Sequence, residues 1–142
     1  MRFFVPGKAH SKERPQVTRG GTHTYTPDKA GYADTIRFSL AMCTRGPVAM
    51  APKGTAVYMD LMESRLMPKS WSKVKRAALE GELTARTPDP VNIAMMFCDA
   101  LSGIAYYDDC QVHLRWVEAR WVSDPEEEGV VCEVMKAEGE TR

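Results

Sequence analysis

Nowhere in this 142-residue chain is there an apolar run near the roughly 20 residues that span a bilayer; uncharged stretches such as 90–98 stop well short. The opening MRFFVPGKAH is too brief in its apolar part for a secretory signal, so the expectation is cytoplasmic residence with no membrane partner. Close cysteine pairs are missing too. Cys43, Cys98, Cys110 and Cys132 lie 55, 12 and 22 positions apart, unlike zinc-ribbon or CxxC redox spacing, and are read as four buried or half-buried thiols. His10, His23 and His113 show no ligand spacing; His113, between Val112 and Leu114 in an alternating stretch, reads as a surface or packing residue. There are no internal repeats and no net charge.

What is present, 44% hydrophobic and 27% charged residues, suits one hydrophobic core, so 1–142 reads as a single domain. The charge that cancels overall is segregated along the chain: +6 over residues 1–53, +2 over 54–88 and −8 over 89–142. A basic N-terminal third can contact phosphates, whereas the acidic third ends in Glu126, Glu127 and Glu128, read as part of an acidic C-terminal tail from about residue 124.

Alternation and turn signals place a short strand at 2–5 and a polar loop at 6–14, where Lys8, Lys12 and Arg14 are free to face a ligand. Gly20 and Gly21 mark a hairpin within 17–25, next to Arg19. Thr26 as cap and Pro27 as first helical residue open a helix to about residue 43, with Tyr32, Ile36, Leu40 and Cys43 on its apolar face. Residues 55–62, rich in Val and Tyr, read as a central strand. A second, shorter helix starts at Ser70 or Ser72 and ends near Gly81. Its Lys69, Lys73, Lys75 and Arg76 either grip phosphates with Trp71 stacking nearby or line a solvated face with Trp71 against the sheet. Arg86 follows in a polar loop. A third helix over 90–101 buries Ile93, Met96, Phe97 and Ala100. A long strand over 110–122, with Val112, Leu114 and Trp116 on one face, pairs with a last strand over 130–135 after a Pro125/Gly129 turn. Elements mixed in this way predict an α+β fold, a mixed sheet with about three helices packed on it.

The clearest chemistry lies in 87–112, TPDPVNIAMMFCDALSGIAYYDDCQV. Asp89 precedes the third helix, Asn92 and Asp99 lie on it, and Asp108 and Asp109 stand at the entrance of the long strand. Carboxylates gathered from a helix start and a strand start make a hard-oxygen site of the kind that takes magnesium or manganese. Asp89 is equally well placed to cap the helix, and one oxygen can cap while the other binds.

That segment closely resembles the signature of the RusA family of Holliday-junction resolvases, metal-dependent endonucleases of phages and bacteria. The family pattern runs Pro-Asp-x-Asp-Asn-x-x-Lys, then Asp-Ala-Leu with a nearby Gly, then Asp-Asp-x-Gln-Val. Pro88, Asp89, Asn92, Asp99-Ala100-Leu101, Gly103, Asp108-Asp109 and Gln111-Val112 match it in order and spacing. Phe4-Val5-Pro6-Gly7, the basic turn with Lys12, Arg14 and Pro15, Thr24-Tyr25-Thr26-Pro27 and Pro68-Lys69-Ser70-Trp71-Ser72 extend the likeness over residues 3–120. The resemblance implies a homodimer that cuts four-way DNA junctions by magnesium-dependent phosphodiester hydrolysis, manganese substituting, in recombination and repair. It further implies metal ligation by Asp89 and Asp109 with Asp108 as a neighbour, support from Asn92, Asp99 and Gln111, and a bacterial or phage-infected host cell. Asp99, ten residues along a helix from Asp89 and hence about 15 Å away, is expected to orient a loop or partner rather than share the metal. DNA contacts are expected from Lys8, Lys12, Arg14, Arg19, Lys69, Lys73, Arg76 and Arg86.

Two family positions are altered. Val91 stands where the family has its second metal-binding Asp, and Met95 where it has a Lys near the scissile phosphate. Both replacements remove charge from the middle of the site, so a non-catalytic junction-binding protein of the same fold competes with an active nuclease.

Overall fold

The structure, a computed structural model, describes residues 1–12, 16–17, 20–21, 24–25 and 31–137. The expected α+β architecture is found. Strand β1 is Arg2–Pro6, β2 Gln16–Val17, β3 Thr24–Tyr25, β4 Val57–Leu66, β5 Val112–Val122 and β6 Gly129–Lys136; the helices are α1 Tyr32–Thr44, α2 Lys73–Leu79 and α3 Pro90–Leu101. Strands β1, β6, β4 and β5 form one sheet in that order, antiparallel except for the β4/β5 pair, while β2 and β3 form the expected hairpin.

The core lies between one face of the sheet and helices α1 and α3. Alternation selects Phe3 and Val5 from β1, Val57, Met59 and Leu61 from β4, and Val130, Cys132 and Val134 from β6. Against them pack Tyr32, Ile36 and Leu40 of α1 and Ile93, Phe97, Ala100 and Leu101 of α3, at the spacing of one helical face. Helix α1 starts at Tyr32 after Gly31, whose φ of 64° is left-handed; Thr26 and Pro27, expected to open it, lie outside the described residues, as do Arg14 and Arg19.

Four expectations are corrected. The last strand does not pair with β5: β4 runs between them, hydrogen-bonded to both. Strand β4 is hydrogen-bonded along both edges, so its backbone N–H and C=O groups are met from both sides while its alternate residues, Val57, Met59 and Leu61, enter the core. Residues 125–136 are therefore no tail; after a 3₁₀ turn at Pro125–Glu127 they enter the sheet as β6. There Gly129 is needed for close approach, because a Cβ would collide with the Phe4 ring and the Val5 carbonyl oxygen. Strand β5 begins at Val112 rather than 110, and a bulge at Arg115 breaks its alternation. Leu114 lies beside Met59 but Trp116 beside Asp60, so the two do not share a face, and Trp116 is exposed. Finally, only Cys132 is buried and Cys98 half-buried; Cys43 and Cys110 are exposed, and all four are free thiols. Among the described residues no helix is long and apolar enough to cross a membrane.

Candidate carboxylate site and nucleic-acid surface

Asp89 is the N-cap of α3: its Oδ1 accepts from the Val91 N–H at 2.9 Å, and Pro90 fills the first helical position. Three residues of the outer face follow at one-turn spacing. Val91 and Met95 are 49% and 45% exposed, and Asp99 forms an ion pair with Lys12 (Nζ to Oδ2, 2.6 Å). The backbone N–H of Lys12 also donates to the Asn92 carbonyl at 3.3 Å. Lys12 is thus laid along α3, with Asp99 fastening its side chain. Lys12, expected to face a ligand freely, instead has a carboxylate partner.

At the start of β5 the 3₁₀ turn Asp109–Gln111 is capped by Asp108, which accepts from the Cys110 N–H at 3.1 Å. Gln111 is buried and serves as a clamp. Its Oε1 accepts from the N–H groups of Tyr107 (2.9 Å) and Asp108 (3.1 Å), and its Nε2 donates to the carbonyls of Pro52 (3.0 Å) and Thr55 (2.8 Å). The Cys110 N–H holds the Asp108 carboxyl below the ordinary range; the hydrogen bond shared with Asp108 raises that of Asp109, helped by repulsion from Asp108 and Asp99 and opposed by Lys12. Burial pushes the Cys98 thiol up to about 11, with Asp99 and Asp109 adding to the shift. Asp99, Asp108, Asp109 and Lys12 therefore form one electrostatic neighbourhood, and Asp89 stands at the opposite end of α3. A cavity of about 630 Å³ borders this turn, lined among others by Lys53, Tyr107, Asp108 and His113.

The carboxylates present do not compose a divalent-cation site. Among the described residues no three His, Cys, Asp or Glu side chains are grouped to hold a metal, Val91 offers no lone pair, and one oxygen of Asp89 is engaged in the cap. No step through a metal follows from this arrangement.

The basic candidates divide into clusters. Trp71 packs edge-on against Trp121 (4.9 Å between centroids) and carries two cations, Lys75 Nζ at 4.1 Å and Arg86 Cζ at 4.9 Å from its ring centre. Trp71 thus rests against the sheet, as one of the two readings expected, and holds two cations beside its ring. Lys69 and Lys73 are exposed nearby, while Arg76 turns inward to donate to the Pro68 carbonyl at 3.0 Å. Lys8 and Arg86 line a second cavity, of about 360 Å³, together with Glu63 and Arg65. Those last two residues escaped the reading of the sequence, although opposite charges two apart, in step with Val57, Met59 and Leu61, were a visible signal.

No curated protein matches this chain in comparison. The family model described as Endodeoxyribonuclease RusA matches residues 6–134, a span from the end of β1 through most of β6 that includes Asp89, Asp108 and Asp109, and the chain belongs to that family.

Proposed function

We propose that this protein is a structure-selective endodeoxyribonuclease of the RusA type, acting on four-way DNA junctions as a homodimer, with hydrolysis impaired by Val91 and Met95. The family match over 6–134, with acids retained at the start of α3 and before β5, carries the reading. Lys8, Lys69, Lys73, Lys75 and Arg86 supply phosphate contacts, and a two-fold dimer presents two equivalent sites to a nearly two-fold substrate. Hydrolysis would call on magnesium, or manganese in its place, for which Asp89 and Asp109 are the acids at the family positions; standing at opposite ends of α3 and without a third ligand at Val91, they do not compose a site, and turnover is expected to suffer for it.

A second reading, a junction-binding protein without turnover, is favoured by the exposed Val91 and Met95 on the outer face of α3. A nuclease assay on a synthetic four-way junction, with magnesium and then manganese, separates the two. Cleavage by matched cuts supports the first; tight binding without product supports the second; neither binding nor product defeats both. Light scattering at micromolar concentration should give about twice the 15.9 kDa of the monomer.

A further inference from the structure

Glu63 and Arg65 are the anomaly of the core. They lie two apart on β4, the strand hydrogen-bonded on both sides, and are only 5% and 9% exposed. Arg65 meets Glu63 as a two-pronged fork, Nε to Oε2 at 2.8 Å and Nη2 to Oε1 at 2.7 Å. Such a pair loses two hydration shells on burial and seldom stabilises more than apolar side chains of the same volume would. Its use must be sought in what else it holds.

The remaining donors of Arg65 leave the strand. Nη1 donates to the Arg86 carbonyl at 2.8 Å and Nη2 to the Pro88 carbonyl at 2.8 Å. These two carbonyls lie within the segment that runs from Thr84, whose N–H is tied to the Ala119 carbonyl on β5, to Asp89, the cap of α3. The planar guanidinium is rigid and satisfies carboxylate and carbonyls at once, which a lysine ammonium cannot do.

We propose that Arg65, neutralised by Glu63, is the positioning residue for the acidic start of α3, gripping the Arg86 and Pro88 carbonyls so that Asp89 and the Arg86 side chain face DNA from a fixed place. The inference rests on the nucleic-acid reading above for the DNA, but not for the tether. The pair lines the cavity that Lys8, Arg86 and Glu128 also line, so the tether holds one wall of that cavity.

The test uses the full chain in three forms: the parent, Arg65→Lys, and the double variant Glu63→Leu/Arg65→Met, which replaces both charges with apolar groups. Amide exchange followed by mass spectrometry reads 86–92, thermal melting reads the fold, and the salt dependence of four-way-junction binding reads Arg86. The double variant should melt close to the parent. Its exchange over 86–92 should be about tenfold faster, with β4 and β6 unchanged. Its log–log salt slope should be shallower by about 0.9, one phosphate contact. Arg65→Lys should show the same local acceleration. Parental exchange over 86–92 in a folded double variant overturns the proposal, and so does unfolding of that variant, which would make the pair a support of the whole core. A parent that binds no junction defeats the functional reading, while exchange over 86–92 still decides the tether.

Discussion

Asp89 and Asp108 each cap a helical turn with a side-chain oxygen, at 2.9 Å and 3.1 Å, yet the backbone around them is anchored by opposite chemistry. The approach to Asp89 is held by a buried ion pair on β4, whereas the turn at Asp108 is held by the neutral amide of Gln111. The surroundings differ in the same sense. Beyond Asp89 the exposed face of α3 is apolar at Val91 and Met95; beyond Asp108 come Asp109 and the field of Asp99. A charged anchor is intolerant of losing one partner, because the other is left buried and unpaired, while a neutral clamp loses hydrogen bonds one by one. Val91 and Met95 thus follow the cap whose backbone support is the more brittle.

Breaking the charged anchor alone should give the largest effect. Arg65→Met strands the Glu63 carboxylate and should destabilise the fold by about 3–5 kcal/mol in urea unfolding, against little change for the double variant. Gln111→Ala comes next, leaving two carbonyls and two N–H groups without their partner; about 3 kcal/mol is expected in the same measurement, and a loss below about 1 would mean water replaces the amide readily. Val91→Asp sharpens the comparison from the other side by placing a second carboxylate close to Asp89. Manganese affinity should rise at least about tenfold by calorimetric titration, and equal affinity in both forms would show that Val91 does not face the site.

The acidic end has its own signature in pH. Folding raises the Asp109 pKa, so the folded protein keeps a proton that the unfolded chain releases; this stabilising contribution is present at acid pH and lost as pH rises from the ordinary 3.8 through the folded value. Asp108 has the opposite sign, its contribution being present above 3.8 and lost as pH falls through its lowered value. Asp108→Asn should bring Asp109 back towards 3.8, read by carbon-detected titration of its carboxyl; an unmoved Asp109 would break the proposed sharing. The smallest effect is expected at the basic end, where Lys75→Ala should reduce the log–log salt slope of junction binding by about 0.9 and leave the melting temperature within a few degrees of the parent.

Much of this was legible in the sequence because it is local. Helix α3 has the expected bounds, Asp89 caps it, and Tyr32, Ile36 and Leu40 are buried at the spacing their periodicity demands. The ordered residues of the Asp-Asp-x-Gln-Val stretch marked the turn before β5, though nothing in that pattern said that Gln111 would reach the carbonyls of Pro52 and Thr55. The fate of Lys12 was hidden for the same reason: a lysine in a polar loop reads as free until the helix that carries Asp99 is packed beside it.

By itself, then, the sequence determined most of the elements, the apolar faces that seek a core, and a likeness to a family signature, because hydrophobic period, capping residues and motif spacing all act within a few turns of the chain. Only the tertiary structure decided which strand lies beside which, where the Arg115 bulge turns Trp116 outward, and that a buried arginine on the central strand reaches the backbone leading into Asp89. Alternation says which face of β4 is buried but not which strands flank it, and a charge on a strand says nothing of the carbonyls it will meet until distant segments are brought within hydrogen-bonding distance.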